Sequence, residues 1–431
     1  MNIAQARVLL DGSYAAALAA ADPLRIVPAQ LPMPPKGRTL VVGAGKAAAA
    51  MALAVEQHWP VAAPLEGLVI TRYRHGLPTG RIKVLEAGHP VPDAAGEQAA
   101  SEILRKVESL TTEDLLLVLV SGGGSSLLSL PVEGVAMADL KEVTRQLLRS
   151  GAPIQSMNAV RKHLSAIQGG RLAAASGAPV LALIISDVTG DDPTHIASGP
   201  CAPDPTTYQE AIDILERYAV NAPAAITEYL TRGARGDIAE TPKPGDPLFA
   251  KTENRVIATA QQSLEAAAAY FRSQGVQPVI LGDSVTGEAR EVAKVYAALA
   301  RQIRQYATPW QPPVALISGG ECTVTVRGTG RGGRCAEFLL SLALELDGAP
   351  DLSALACDTD GIDGSEDNAG AILDPGTLQR ARNRGLDPAA LLDNNDAYRF
   401  FEEAGDLVMT GPTRTNVNDY RAILVSRDET I

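Results

Sequence analysis

The feature that most constrains this chain is an apolar stretch that runs directly into a glycine-rich or acidic turn, which occurs five times. Short apolar stretches bounded by turn residues are typical of β-strands buried on both faces, and such strands form parallel sheets covered by helices. Ligands bind these sheets at the carboxyl ends of the strands, where this chain carries Gly, Ser, Asp and Lys. Because these residues hold phosphate groups and metal ions, the pattern predicts an α/β protein that handles phosphate. The five segments are 39–46, 115–125, 180–187, 314–321 and 352–360.

The length of the chain, 431 residues, exceeds what one ordinary hydrophobic core accommodates, so we expect two domains. Between residues 39 and 230, strands alternate with helical stretches, which indicates βαβ units in a Rossmann-like αβα domain with a mostly parallel sheet. Residues 236–253 are rich in Gly, Pro and charge, which is typical of a linker. The pattern predicts an N-terminal domain over 1–235 and a second α/β domain over 254–431, which begins with a strand at 255–259.

The charge of the chain excludes some classes of partner. The net charge is −12 and only 4% of the residues are aromatic, which is unfavourable for binding nucleic acid or an anionic membrane. A phosphorylated substrate would therefore need a local basic pocket. We expect small-molecule substrates and no nucleic-acid or membrane partner. A homodimer is compatible with the sequence.

The four cysteines are scattered without a C-x-x-C pair, which is typical of a reduced cytoplasmic protein and indicates no zinc site. No apolar run approaches the roughly 18 residues of a membrane span. Residues 7–21 superficially resemble a signal peptide, but Asp11 and Gly12 interrupt the apolar region. The helical spacing of the apolar residues predicts an amphipathic first helix instead.

The first glycine-rich turn, residues 43–48, fits the pattern G-x-G-x-x-[GA] after a strand and before a helix. A dinucleotide-binding fold also needs an acidic residue near position 71, where this chain has Thr and Arg. The turn is not a Walker loop either, because alanine follows the lysine. Lys46 lies at the start of a helix, where the helix dipole disfavours a cation unless an anion is bound. We therefore predict that Gly43, Gly45 and Lys46 bind an anion, rather than that Lys46 is a solvated surface lysine.

The second glycine-rich turn follows an entirely apolar strand. A run of backbone N–H groups without side-chain obstruction can cradle phosphate or carboxylate oxygens. The alternative is a flexible turn without a chemical role. We predict a cradle made of Ser121, Gly122, Gly123, Gly124 and Ser125.

The segment 186–200 is too polar for a simple connection. Asp187 follows a strand, where a carboxylate that holds Mg²⁺ would lie, and Mg²⁺ typically uses one or two carboxylates together with phosphate and water. Asp191 is a second candidate ligand. Asp191 and Asp192 could instead cap turns, and His195 alone is more often a structural histidine.

The segment 323–334 is the main concentration of positive charge. An alternating Thr/Val stretch predicts a strand that enters a loop with three arginines and four glycines. Arg334, beside Gly332 and Gly333, opens a helix and could direct its planar fork at phosphate or carboxylate oxygens. The alternative is a hairpin with surface arginines. Further carboxylates end strands nearby, and we expect Glu321 and Asp360 to bind substrate; Asp358 and Asp363 are the other members of this set.

Together with further motifs, these residues resemble the bacterial glycerate 2-kinases that carry a MOFRL C-terminal domain, a family whose members are often labelled hydroxypyruvate reductases. The match covers nearly the whole chain, and the motifs are specific as a set although none is specific singly. They lie at residues 42–46, 86–93, 121–125, 158–165, 169–173, 186–188, 198–200, 318–321, 330–334, 360–364, 410–413 and 415–419.

The resemblance implies ATP-dependent phosphorylation of D-glycerate at its 2-hydroxyl group, with Mg²⁺, in a cleft between the two domains. It implies a MOFRL region over about residues 313–420. It makes Lys46 and Arg334 the catalytic basic residues. With them we expect Asp187, predicted above from its position after a strand, to place the metal. Asn158, in the motif Asn-Ala-Val-Arg-Lys-His-Leu-Ser, is expected among the residues that bind substrate or nucleotide.

The sequence departs from the family pattern in two places. Cys335 and Ala336 stand where the family usually has Asn-Gln, so a substrate-orienting amide is in doubt. Arg414 stands where glycine is usual between two threonines. This replacement could alter a loop near the predicted cleft.

Two rival functions fit parts of the sequence. An NAD(P)H-dependent hydroxypyruvate reductase would use the turn at 43–48, but the missing acidic residue near position 71 argues against it. A non-catalytic sensor of phosphate or sugar acids would have little use for so many carboxylates at strand ends. We therefore expect a kinase.

Overall fold

The structure, a computed structural model, describes residues 1–426. Its contacts divide the chain into a first unit, Pro23–Ile257, and a second unit, which consists of Met1–Asp22 and the chain from Ala258 onward. Each unit contains one six-stranded sheet. The predicted two-domain α/β architecture is thus confirmed. The N-terminal helix α1 (Ile3–Ala20), predicted from its apolar spacing, is present and belongs to the second unit.

The first unit alternates helices and strands, as predicted. In chain order its elements are α2 (Pro23–Ile26), β1 (Thr39–Ala44), α3 (Ala48–His58), β2 (Leu65–Arg72), β3 (Ile82–Ala87), α4 (Ala94–Glu108), β4 (Leu115–Val120), α5 (Gly124–Leu127), α6 (Met137–Arg149), α7 (Ile154–His163), α8 (Arg171–Ala174), β5 (Val180–Ile185), α9 (Tyr208–Arg217), α10 (Ala224–Ala234) and β6 (Thr252–Ala258).

The first sheet has the strand order β3-β2-β1-β4-β5-β6, and β1 to β5 pair in parallel. All six residues of β1 and all six of β5 are buried, because side chains from both faces of the sheet enter hydrophobic cores. The last residue of β1, Ala44, pairs with Val120, and Val120 pairs with Ile184. The turns after β1, β4 and β5 therefore lie side by side at one edge of the sheet.

The second unit continues from β6 with helices and strands in a less regular order. Its elements after α1 are α11 (Ala260–Ser273), β7 (Gln277–Gly282), α12 (Ala289–Tyr306), β8 (Val314–Ser318), α13 (Arg334–Leu346), β9 (Leu352–Asp358), β10 (Gly370–Leu373), α14 (Thr377–Asn383), α15 (Pro388–Asp393), α16 (Ala397–Ala404), β11 (Leu407–Val408) and β12 (Asp419–Val425).

The second sheet is mixed, with the order β11-β10-β9-β12-β8-β7. The expectation that β8 and β9 belong to a parallel sheet is wrong for most of this sheet, because β12 pairs antiparallel with both of them. The strands are nevertheless buried on both faces. Alternate residues of β8 and β9 enter a core with α12 and α13 or a core with α1 and α11. Since β8 and β9 flank β12, their carboxyl ends and the start of β12 lie at one edge.

Two expected boundaries differ from the structural division. Residues 1–22 were expected in the N-terminal domain, but Leu10 and Tyr14 of α1 are buried in one core cluster with Phe271. The segment 236–253 was expected to link the domains, but it belongs to the first unit, and the strand expected at 255–259 is β6 at the edge of the first sheet. Glycine and proline mark irregular backbone there, not the end of a domain.

Some single elements also differ from the expectation. The alternating stretch at 323–327 forms no strand. In the described part of the chain, its one β-type pairing is an isolated bridge between Thr323 and Glu288. Strand β3 was not predicted. Within residues 1–426 no helix is long and apolar enough to cross a bilayer, and the four cysteines are buried, unpaired thiols.

Candidate active site

The turns after β1 and β4 are hydrogen-bonded to each other. The N–H of Lys46 donates to the carbonyl oxygen of Gly122 at 2.9 Å, and the N–H of Ala47 donates to Ser121 Oγ at 3.0 Å. A Cβ atom on Gly45 would lie 2.1 Å from Ser121 Oγ, so glycine is required for this close approach. The two turns therefore form one structural unit at the edge of the first sheet.

The backbone N–H groups of the first turn are used inside the protein. The N–H of Gly45 donates to the carbonyl oxygen of Ile70, and the N–H of Ala48 donates to the carbonyl oxygen of Gly45. The N–H groups of Lys46 and Ala47 make the bonds described above. These groups are not available to a ligand. The half-buried side chain of Lys46 is therefore the part of this turn that can bind an anion.

The second turn offers N–H groups that the protein does not use. Across residues 1–426, the N–H groups of Gly122, Gly123 and Ser125 have no hydrogen-bond partner. Gly123 has a left-handed backbone conformation with φ of 81°, and such a conformation turns successive N–H groups toward one point, where an anion can bind. A Cβ atom on Gly123 would lie 2.7 Å from His89 Nε2 and 3.5 Å from Lys46 Cγ. Lys46 and His89 thus lie beside this turn.

Asn158 lies behind the second turn. The hydroxyl oxygens of Ser125 and Ser198 are 2.9 Å apart, and Ser198 Oγ donates to Asn158 Oδ1 at 3.4 Å. Asn158 is buried. Gln168 Nε2 donates to the carbonyl oxygen of Ser125 at 2.9 Å. These contacts indicate that Asn158 and Gln168 fix the position of Ser125. The sequence around Asn158 and Gln168 does not predict this role.

The acidic loop after β5 has one candidate metal ligand at the sheet edge. Asp187 is half-buried and follows the last residue of β5 by two positions. Asp191 has a left-handed backbone with φ of 54°, whereas Asp192 Oδ1 accepts the N–H of Thr194 at 2.8 Å and so caps a turn. In the described part of the chain, no cluster of three or more acidic, His or Cys side chains could hold a metal ion. A single carboxylate suits Mg²⁺ that completes its shell with phosphate oxygens and water.

A buried charge network holds the end of α7. Lys162 Nζ lies 3.3 Å from Asp204 Oδ1, and both side chains are at most 2% exposed. His163 Nε2 lies 3.2 Å from Glu240 Oε2, and Thr241 donates to Asp204 Oδ2 at 3.1 Å. Burial alone would raise the pKa of Asp204, but Lys162 and other partners hold it below its ordinary value. The network positions the helix that carries Asn158.

Replacing Asp204 by asparagine is expected to reduce the free energy of unfolding by about 3–5 kcal/mol near pH 7, because Lys162 is left buried without a counter-ion. The folded-state pKa of Asp204 lies below the unfolded value, so its stabilising effect exists above pH 4 and is lost as the pH falls through the folded pKa. Urea unfolding at several pH values measures both effects. The matched control is Asp213→Asn on the exposed face of α9, for which a change within about 0.5 kcal/mol is expected. An equal loss in the two variants would contradict the prediction.

In the second unit, Arg334 is held by three carboxylates. Its Nε donates to Asp419 Oδ1 at 2.8 Å and its Nη2 to Asp358 Oδ2 at 2.7 Å, while its Nη1 lies 3.2 Å from Glu321 Oε1. The Asp358 and Asp419 side chains are almost fully buried, whereas that of Glu321 is 55% exposed. Burial alone would lower the pKa of Arg334, but these carboxylates hold it above its ordinary value. Of the three carboxylate partners, only that of Nη1, Glu321, is exposed to solvent.

The loop before α13 is shaped by Asp363. Its carboxylate accepts the N–H groups of Cys335 at 3.0 Å and Ala336 at 2.8 Å, which caps the helix. Burial raises the pKa of Asp363 to about 6, although the two N–H groups oppose this shift. A Cβ atom on Gly333 would lie 2.2 Å from Asp363 Oδ1. Gly332 precedes it with φ of 147°, so the two glycines let the loop pass close to this carboxylate.

Asp360 lies in a buried turn. The residue is only 2% exposed, and its Oδ1 accepts a hydrogen bond from the N–H of Ile362 at 2.8 Å. The carboxylate therefore organises the turn after β9, and Glu321 is the more accessible of the two predicted binding carboxylates. Asp419, which begins β12 opposite Asp358, was not selected from the sequence, although an acidic residue directly at the start of a buried strand is a detectable signal.

The departures from the family pattern have structural consequences. Cys335 and Ala336 are fully buried in the core on α13, so their side chains point away from solvent. Arg414 has φ of 59°, in the region that favours glycine. The glycine expected there would adopt this backbone without strain.

The predicted site residues thus collect at one edge of each sheet. Lys46, the turn 121–125 and Asp187 belong to the first unit, whereas Arg334 and Glu321 belong to the second. That both groups serve one reaction stays a prediction.

Comparison with known proteins gives two family matches. Residues 9–231 match the family described as Domain of unknown function (DUF4147), and residues 314–419 match the MOFRL family. A protein of Agrobacterium vitis described as a putative hydroxypyruvate reductase is 50% identical over 98% of this chain and 95% of its own length. The glycerate 2-kinase of Pyrococcus horikoshii is 40% identical over 91% and 88%. The crystal structure of glycerate kinase from Thermotoga maritima matches 98% of this chain and 99% of that one, with a TM-score of 0.87 and 36% identity.

Proposed function

The chain belongs to the family that joins a DUF4147 domain to a MOFRL domain, the family of the glycerate 2-kinases, and on this premise we propose that it is itself a glycerate kinase. The reaction transfers the terminal phosphoryl group of ATP to the 2-hydroxyl group of D-glycerate, which yields 2-phosphoglycerate and ADP. Relatives described as kinases and their crystal structures match the chain over nearly its whole length.

The observation that carries the proposal is a lysine beside three backbone N–H groups that make no hydrogen bond within residues 1–426. Phosphoryl transfer requires positioning of the phosphates and neutralisation of the charge that develops on them, and little covalent chemistry from the protein. The N–H groups of Gly122, Gly123 and Ser125 suit phosphate oxygens. Lys46 lies against this turn and supplies positive charge.

The other residues would act on charge and geometry. Asp187 would hold Mg²⁺, which neutralises phosphate charge when bound. Arg334 would approach an anionic oxygen through Nη1, in place of the exposed Glu321 carboxylate. We further propose a cytoplasmic location, which the four unpaired buried thiols support.

The reductase function is favoured by the name given to the 50% identical relative and by the glycine-rich turn at 43–48. The structure offers little to bind a nicotinamide dinucleotide. Strand β2 ends at Thr71 and Arg72, where an acidic residue would contact the ribose. Glu66, at the start of that strand, pairs with Arg38 and Lys106.

One assay separates the two functions. The purified protein is incubated with D-glycerate, ATP and Mg²⁺, and ADP release is measured with each component omitted in turn. We expect ADP only when all three are present, and 2-phosphoglycerate as the product by ³¹P NMR. Rapid oxidation of NADH or NADPH with hydroxypyruvate, without ADP release in the kinase assay, would contradict the proposal.

A further inference from the structure

A cavity of about 330 Å³ opens beside the second turn of the first unit. The loop 90–92, of sequence Pro-Val-Pro, and Leu140 and Leu148 of α6 supply apolar walls. Volumes of about 300 Å³ and above are typical of sites for ligands larger than a three-carbon acid. The cavity is thus large enough for a ligand with an apolar, ring-sized part.

The charges that line the cavity have one sign. Lys141, Arg145 and Arg161 contribute to its wall and no acidic residue does. Arg145 is paired with Glu142 outside the lining. The side chains of Lys141 and Arg161 make no hydrogen bond or ion pair with any of residues 1–426. Lys141 is near enough to Asp93 to help lower the pKa of that carboxyl group. A cavity wall with three cations and no carboxylate is unexpected in a chain of net charge −12, unless an anion binds there.

Arg161 differs from the next two residues of α7. Lys162 is paired with Asp204, and His163 with Glu240. Arg161 is half-buried without such a partner, and burial lowers the pKa of its guanidinium. Leaving a guanidinium partly desolvated and unpaired costs folding free energy, which an anionic ligand would offset.

We propose that this cavity binds the nucleotide of the phosphoryl donor, with its base against the apolar wall and its phosphates toward Arg161 and Lys141. This inference rests on the proposed kinase function and adds where the donor binds. Ser125 and Ser126 line the cavity, and Ser125 also carries one of the three unused N–H groups. A nucleotide in the cavity can therefore place phosphate oxygens on the second turn, beside Lys46.

The test is calorimetric binding of ADP to the full-length protein, which does not depend on catalysis. Arg161→Gln and Lys141→Gln should each weaken ADP binding by about tenfold or more, as expected for the loss of a charge-assisted hydrogen bond. The matched control is Arg149→Gln, at the exposed end of α6 and outside the cavity lining, which should bind ADP as the wild type does. The KM for D-glycerate should stay unchanged in all three variants.

Four outcomes would overturn the inference. They are no binding of ADP to the wild type, wild-type ADP affinity in Lys141→Gln, a raised KM for D-glycerate with unchanged ADP affinity, and binding of inorganic pyrophosphate as tight as that of ADP. A raised KM for D-glycerate would show that the cavity binds the phosphoryl acceptor. Equally tight pyrophosphate binding would show that the nucleotide base makes no contact with the cavity. If Arg161→Gln fails to fold, Lys141→Gln decides alone. ADP binding that depends on Lys141 in a protein without kinase activity would support the cavity and reject the proposed reaction.

Discussion

Replacing Lys46 by alanine is expected to reduce the turnover number by about 10²–10³-fold, the usual loss when one preorganised electrostatic group is removed. The lysine side chain lies against Gly123, whose N–H group is one of the three unused donors. Without the lysine ammonium group, the negative charge on the phosphoryl group being transferred is no longer neutralised beside the second turn. The backbone bond from Lys46 to Gly122 does not involve the side chain, so the melting temperature should change little.

Steady-state kinetics and thermal melting of Lys46→Ala and Lys83→Ala measure this prediction. Lys83 lies on β3 with an exposed side chain, and its replacement should leave both quantities unchanged. Wild-type turnover in Lys46→Ala, or inactivity that unfolding fully accounts for, would remove Lys46 from the catalytic residues.

Replacing Arg334 by lysine is expected to abolish most activity although the positive charge is kept. One ammonium group cannot donate to Asp358 and Asp419 in the fixed directions of the guanidinium and also present a donor at the position of Nη1. We expect a loss of about 10²-fold or more in kcat/KM. The lysine variant should retain more stability than Arg334→Ala, because alanine removes the cation from two buried carboxylates, Asp358 and Asp419, of which Asp419 keeps Arg421 as a counter-ion. The expected cost for alanine is about 3–5 kcal/mol.

The comparison of the two variants separates charge from geometry. The control is Arg331→Lys. The half-exposed Arg331 side chain pairs with Glu366 and Glu402 and lies over the Tyr398 ring, contacts that the ammonium group of lysine can also make. Full activity in Arg334→Lys would show that charge alone is needed there. An equal loss of stability in Arg334→Lys and Arg334→Ala would show that the role of the residue is structural.

The sequence predicts the candidate site to the extent that strand ends determine it. The turns 43–48 and 121–125 were expected at one sheet edge, and the parallel pairing of β1 with β4 places them there. Strand direction in the second sheet was not predictable, because burial on both faces produces the same apolar runs in parallel and antiparallel strands. Strand β3 was missed since its sequence, Ile-Lys-Val-Leu-Glu-Ala, alternates only in part.

Contacts between distant residues lie beyond such a prediction. The partners of Arg334 are 24 and 85 residues away in sequence, and Lys162 and Asp204 are 42 residues apart. Nothing in the local pattern distinguishes Arg161, which has no counter-ion among residues 1–426, from Lys162, which pairs with Asp204. The charge balance of each side chain follows from the fold.

The position of α1 has a consequence for biosynthesis. Its apolar face packs on α11, β9 and β12, and the first of these leaves the ribosome about 240 residues after α1. At about 5–20 residues per second, the helix spends roughly ten to fifty seconds without its partners. Residues 23–257 are complete by then and can fold as a unit of their own, inserted between α1 and α11. The second unit cannot fold before β12 has been synthesised, so the nascent chain must keep the apolar face of α1 from aggregating until then. A circularly permuted gene that begins at Pro23 and encodes α1 after β12 would remove this delay.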